Sequence, residues 1–338
     1  WKDGGSFPAL VDLMLYGDDQ QKNEVQTVLY DRGHDRKNDR EKFARDPVSI
    51  LIAFVRIGTA EEKRESARML GRLVDDNDAN RIAIAQEGGI APLVALVRDG
   101  TDSQKGNAVK VLGRLADGND ANRIAICAPL VALVRDGTDS QKGNAAKALG
   151  RLADGNDANR IAIAQEGGIA PLVALVRDGT DSQKENAAEA LCRLADDNDA
   201  NRISIAQEGG IAPLVALVRD GTDDQAYCAA WVLGRLADGN DANRIAIAQE
   251  GGIAPLVTLV RDGTDDQKEK AAWVLGRLAD GNDANRIAIA QEGGIAPLVA
   301  LVRDGTALQQ YRATMALYRL ADGNDANRIA IAREELSL

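Results

Sequence analysis

NDANRIAIAQEGGIAPLVALVRDGTDSQKGNAVKVLGRLADG, residues 77–118, decides the fold, because it returns with few changes as far as residue 332. Equivalent segments begin at Asn77, Asn119, Asn156, Asn198, Asn240, Asn282 and Asn324, 42 residues apart in all but one interval. A fixed period in this range means an array in which each unit buries its apolar surface against its neighbours. That removes the size limit a single core would meet in a chain of 338 residues.

Within one unit the signals are helical. Asp78 is placed to cap a short helix over 80–87, and Gly88-Gly89 stops it, since glycine tolerates the left-handed conformation past a helix end. Pro92 sits in the first turn of a second helix, where its missing N–H is harmless, and Leu93, Leu96 and Val97 give that helix an apolar face. Asp99-Gly100 ends it. Thr101 and Gln104 fit a capping box that opens a third helix, which runs to about Leu115 with Ala108, Leu112 and Leu115 inward; Gly118 closes the unit. RIAIA alternates like a strand, but it is five residues long and has no pairing partner. Each unit is therefore read as short helix, helix, longer helix.

Hydrophobic residues make up 45% of the chain and aromatics 3%, so Ala, Leu, Ile and Val must build thin, closely packed layers. The net charge of −11 opposes nonspecific binding to nucleic acid or anionic membrane and leaves open only a local basic groove. No apolar run is long enough to span a bilayer, and no secretory signal is visible. Three cysteines, Cys127, Cys192 and Cys228, are odd in number and lack a disulfide-scaffold spacing, so an intracellular setting, cytoplasmic or nuclear, is expected. The start at Trp1-Lys2-Asp3, without Met, suggests a fragment or a trimmed chain.

This three-helix unit resembles the armadillo repeat of the importin-α and β-catenin type. The matching stretches are EGGIAPLVALV for the first turn and second helix, and ENAAEALCRLA for the third helix. HEAT repeats, with two helices per unit, fit less well. The resemblance covers almost the whole chain and implies an all-α, right-handed α-solenoid of three-helix armadillo repeats. Third-helix segments occur near 20–31, 61–73, 103–116, 140–153, 182–195, 224–237, 266–279 and 308–321. Residues 1–73 diverge and are read as N-terminal capping repeats; 74–338 are the regular array, truncated after a first helix. In one copy Ile126 runs directly into Cys127, without the AQEGG of the others. Either the turn is deleted and the unit distorts, or five residues are missing from the sequence as written; the uncompensated flanks favour the second.

The copies differ in a pattern. Aligned on the Arg row Arg72, Arg114, Arg151, Arg193, Arg235, Arg277 and Arg319, position −8 carries Arg64, Gly106, Gly143, Glu185, Tyr227, Glu269 and Tyr311. Position −4 carries Arg68, Lys110, Lys147, Glu189, Trp231, Trp273 and Met315, and position −1 carries Gly71, Gly113, Gly150, Cys192, Gly234, Gly276 and Tyr318. These offsets share one helix face. Drift at exposed sites would also change the Gln86-Glu87 and Thr101-Asp102 slots, which hardly vary. The variable face is therefore read as a set of ligand contacts, although capping or contacts between repeats also hold polar residues constant.

In armadillo proteins of the importin-α type the third helix lines a concave groove, where a Trp and, four residues on, an Asn hold an extended peptide. The resemblance puts Trp231 and Trp273 in the Trp slot, but the Asn slot is Arg in all seven regular copies. An Arg row would repel a basic peptide and suit carboxylates or phosphates. Each Arg is also followed three residues later by Asp, as in Arg193–Asp196, which allows plain surface pairing.

Catalytic and metal readings fail on inventory. His34 is the only histidine, the cysteines lack further ligands nearby, and DNDAN lacks the closing Glu of a calcium loop. No catalytic residue, metal or cofactor is expected. The leading expectation is a non-enzymatic protein-binding scaffold. Its partner carries an acidic or phosphorylated segment opposite the basic N-terminal rungs and a hydrophobic segment opposite the aromatic C-terminal ones. The alternatives are a single-stranded RNA-binding repeat protein, which the net charge and the Glu185/Glu189 rung argue against, and an engineered array.

Overall fold

The computed structural model describes residues 13, 18, 20–21, 47–75, 78–117 and 119–336. His34 and most of the helix expected near 20–31 lie outside them. The helices are α1 (Pro47–Ile57), α2 (Ala60–Val74), α3 (Asp78–Gln86), α4 (Ile90–Asp99), α5 (Asp102–Ala116), α6 (Asp120–Asp136) and α7 (Asp139–Ala153). They continue as α8 (Asp157–Gln165), α9 (Ile169–Asp178), α10 (Asp181–Ala195), α11 (Asp199–Gln207), α12 (Ile211–Asp220) and α13 (Asp223–Ala237). The last are α14 (Asp241–Gln249), α15 (Ile253–Asp262), α16 (Asp265–Ala279), α17 (Asp283–Gln291), α18 (Ile295–Asp304), α19 (Ala307–Ala321) and α20 (Asp325–Leu336). No strand occurs among the described residues, and RIAIA is helical in every copy. Backbone packing divides the chain into two compact units, Trp1–Leu152 and Ala153–Leu338.

The first helix is capped by Asn, one residue earlier than the Asp expected from sequence. Asn156, Asn198, Asn240 and Asn282 hold extended backbones, and each side chain accepts the N–H three residues on. The following Asp occupies the first turn and pairs with the Arg of the same turn, as Asp199 does with Arg202 at 2.8 Å. Gly167, Gly209, Gly251 and Gly293 then turn the chain with φ near +75°, as a helix stop requires.

Buried amides tie the helices together. Asn201 Nδ2 donates to the Leu194 carbonyl at 2.8 Å and to the Arg160 carbonyl of the preceding unit at 3.4 Å. Arg202 Nε donates to the Ala195 carbonyl at 2.8 Å. These side chains satisfy carbonyls left open at the end of a third helix. The Thr–Gln capping boxes form as expected, in α10, α13, α16 and α19 among others. The same Gln side chains reach back one unit: Gln225, Gln267 and Gln309 donate to the carbonyls of Asp181, Asp223 and Asp265 at 3.0, 3.0 and 2.8 Å. Capping and repeat-to-repeat bonding together account for the constancy of this slot.

In the shortened copy nothing stops the first helix, and α6 runs unbroken for 17 residues from Asp120 to Asp136. Pro129 lies inside it. Lacking an N–H, Pro129 leaves the Ala125 carbonyl without its helical donor. In the sequence as written, the first and second helices of this copy are thus fused.

Candidate functional site

Third helices pack in series within each unit: α2 on α5 in the first, and α10, α13, α16 and α19 in the second. The inner stripe is Ala, Leu and Val, fully buried at Ala187, Leu191, Ala229, Leu233, Ala271 and Leu275. This leaves positions −8, −4 and the Arg row at the surface, in full or in part, in most copies.

The Arg row forms a ladder between repeats. Arg193 reaches Asp154 at 3.2 Å, Arg235 reaches Asp196 at 2.6 Å, Arg277 reaches Asp238 at 2.8 Å and Arg319 reaches Asp280 at 3.9 Å. In each case the Asp belongs to the preceding repeat. The pairing three residues on, which the sequence allows, is seen for Arg114 with Asp117, at 3.7 Å. Asp196 and Asp238 are helix C-caps with extended backbones, and each meets the Arg of the following repeat instead.

On the second unit this ladder carries an aromatic shelf. Trp231 and Trp273 are half-buried. Arg193 lies 5.4 Å and Lys270 4.8 Å from the Trp231 ring centre, and Tyr227 meets that ring edge-on at 5.9 Å. Arg235, Arg277 and Arg312 each lie 5.8 Å from the Trp273 ring. Such cation–π contacts hold the indoles in place while leaving part of each ring open. Beside them Trp273, Arg277, Tyr311, Met315 and Arg319 border an open pocket of about 70 Å³. Small-molecule sites usually run to roughly 300–1,000 Å³, so this pocket suits one side chain of a larger partner. Tyr311 and Tyr318 are 57% and 71% exposed.

Several expected contact residues have other work. Glu269 is only 7% exposed and pairs with Lys270 at 3.1 Å and Arg312 at 3.4 Å, so it supports the shelf from below. Position −1 is a spacing slot in five of the copies: Gly71, Gly150, Cys192, Gly234 and Gly276 are buried. A Cβ on Gly234 would lie 2.2 Å from the Trp273 ring, so the absence of a side chain there makes room for the next unit's indole. Burial pushes the Cys192 thiol well above its ordinary pKa; burial, with Glu189 and Glu185 nearby, pushes Cys228 up to about 12. Glu185 and Glu189 are exposed on α10, as expected.

On the first unit most of the basic rungs are already paired. Arg64 contacts Glu61 and Glu65, Arg68 contacts Glu65 at 2.7 Å, and Lys110 and Arg114 share Asp75 at 2.8 and 3.4 Å. The Lys110 hydrogen bond holds the Asp75 carboxyl below its ordinary pKa. Arg72 lies 3.8 Å from the Met69 sulfur. Lys147 and Arg151 are exposed on α7.

Lys270 and Arg312 were not legible as site residues. They stand at position −7, one residue off the chosen face, and reach the rings through long side chains. Variation at that position (Asn107, Asn144, Asn186, Cys228, Lys270, Arg312) was the available signal. A row of half-exposed isoleucines on the first helices, Ile161, Ile203, Ile245 and Ile287 in the second unit, was also missed.

The family model of the armadillo/β-catenin-like repeat matches residues 156–196 and 240–280, each spanning a first, second and third helix. The chain is built of helical repeats of the armadillo type. Its repeats are similar to the crystal structure of an engineered protein, at 27% identity over 97% of this chain and 81% of that one, with a TM-score of 0.71. A designed armadillo repeat protein aligns at 20% identity over 80% of this chain and 98% of that one, with a TM-score of 0.54. Another, in complex with the peptide (KR)4, aligns at 20% identity and the same coverages, with a TM-score of 0.52. A search of curated proteins finds no match. The last two resemblances concern the armadillo fold alone. No described helix is long and apolar enough to cross a membrane, and no group of three or more potential metal ligands occurs among the described residues.

Proposed function

We propose that this armadillo scaffold binds an extended polypeptide across its third-helix faces, with large apolar side chains seated on the second unit. The observation that carries this reading is the shelf of Tyr227, Trp231, Trp273, Tyr311 and Met315, which is held by cations and bordered by a pocket the size of one side chain. A designed armadillo relative is in complex with a peptide, which supports the class of partner. Its peptide is basic; the Arg row here favours an acidic or neutral one. The pairing of that row with aspartates also speaks against an RNA groove, since it leaves no continuous run of free cations along the second unit.

The test is a random peptide library panned on the intact chain. Binders should lose affinity on Trp231→Ala or Trp273→Ala at any salt concentration, by about 2 kcal/mol or more if these rings are anchors. Lys147→Ala should act mainly at low salt. Selected peptides that bind the Trp231→Ala, Trp273→Ala double variant unchanged would defeat the proposal.

An engineered origin is a second reading, favoured by the exposed Gln–Glu pair that recurs unchanged at Gln207-Glu208, Gln249-Glu250 and Gln291-Glu292. Changing the first two pairs to Ala should then alter neither melting nor peptide affinity. A loss of either would show that a contact maintains them.

A further inference from the structure

The first unit contains a hollow of about 240 Å³ between α5 and α7, lined among others by Lys105, Gly106, Asn144, Lys147 and Arg151. Three observations set it apart from the rest of that face. Of the seven cations expected to line the basic half, Lys147 and Arg151 are the two that have no carboxylate or other polar partner among the described residues. Arg151 also departs from the ladder. Arg193, Arg235 and Arg277 each reach back to the preceding Asp, whereas the guanidinium of Arg151 lies 4.0 Å from where a Cβ of Gly106 would stand. Finally, position −8 is Gly106, so no side chain from that position fills the hollow; the copies from the fourth regular one onward carry Glu185, Tyr227, Glu269 and Tyr311 there.

We infer that this hollow is a receptor for a phosphomonoester carried on an extended polypeptide. The inference rests on the polypeptide reading above and adds the chemistry of one partner side chain. Two unpaired cations match a dianion, whereas a single carboxylate would leave one uncompensated; a phosphorylated side chain carries a charge of about −1.5 to −2. Arg151 offers a planar fork suited to two phosphate oxygens, and Lys147 and the Asn144 amide supply further donors. Lys105 adds a cation 3.9 Å from Asp102, the one acid lining the hollow, whose side chain is fully exposed to water.

The test uses fluorescence anisotropy with the intact chain and a nine-residue Gly/Ala peptide bearing one central phosphoserine. Matching peptides carry Ser or Glu at that position, and inorganic phosphate serves as competitor. The phosphoserine peptide should bind about tenfold or more tighter than either, because charge-assisted bidentate bonds are the strong ones. Free phosphate should compete only weakly. Lys147→Gln with Arg151→Gln should reduce affinity about tenfold or more. Gly106→Met should do the same with every charge in place, by filling the hollow, and should keep or raise the melting temperature because Gly106 is helical. Equal binding of the Ser or Glu peptide, equal competition by free phosphate, or indifference to either variant would overturn the inference. If the phosphopeptide fails while a library-selected peptide still depends on Trp231 and Trp273, only this inference falls; if both fail, the polypeptide reading falls with it.

Discussion

Adding one methyl group at position −1 should have opposite effects in two copies of the same repeat. Gly113 and Gly234 occupy equivalent places in α5 and α13. A Cβ at Gly113 would meet Leu152 at 3.8 Å, an ordinary contact; one at Gly234 would meet three atoms of the Trp273 ring at 2.2, 2.7 and 2.8 Å. Replacing a helical Gly by Ala stabilises by about 1 kcal/mol when nothing clashes. Forcing a methyl into a filled site costs about 1–3 kcal/mol. Gly113→Ala should therefore stabilise by about 1 kcal/mol, and Gly234→Ala should come out neutral to about 2 kcal/mol destabilised. The indole is not free to step aside without leaving Arg235, Arg277 and Arg312. Urea titration followed by far-UV circular dichroism measures the stabilities, and near-UV circular dichroism reports the Trp273 environment. Equal stabilisation by both substitutions, with an unchanged near-UV spectrum, would refute the packing of Trp273 across Gly234.

Four further outcomes are expected. Asn201→Ala strands the buried Leu194 carbonyl and should destabilise by about 1–3 kcal/mol in urea melts. Asp197 is the one described non-glycine residue with positive φ, at 45°, in a slot that is Gly155, Gly239, Gly281 and Gly323 elsewhere; Asp197→Gly should stabilise by about 1 kcal/mol. The Asp75 carboxylate should titrate below the ordinary 3.8 by NMR, with Lys110 as the main cause, so its stabilising share is present above that value and disappears as pH falls through the lower folded value; Lys110→Met should bring the midpoint back up. Iodoacetamide at pH 8 should leave Cys192 and Cys228 unmodified in the native chain and alkylate both in urea, since the thiolate is the reactive form and burial suppresses it in both.

What was legible in the sequence was whatever local chemistry encodes. The capping box of Thr101 and Gln104, the Gly88-Gly89 stop and the inward stripe of Ala108, Leu112 and Leu115 each lie within a few residues, and each is present in the fold. Bonds that span a repeat were not legible. Asn201 reaches a carbonyl 41 residues away, and nothing near it in the chain distinguishes that from a surface turn. The Arg row offered two aspartates per Arg, one three residues on and one in the preceding unit, and sequence spacing favoured the wrong one. Position −1 varied like position −4, yet Cys192 and the glycines Gly71, Gly150, Gly234 and Gly276 are buried while Tyr318 is exposed. Variation marks a face, but only packing tells a contact from a gap.

The proposed function places a polypeptide on the third-helix face of the second unit. The most direct measurement follows the two indole N–H signals of Trp231 and Trp273 by NMR as a library-selected peptide is titrated into the chain. Both signals should shift with the same saturation curve, while methyl signals of Ile161, Ile203, Ile245 and Ile287, exposed on the first helices, stay in place. Unmoved indoles beside shifting isoleucine methyls would contradict the account and place binding on the first-helix row.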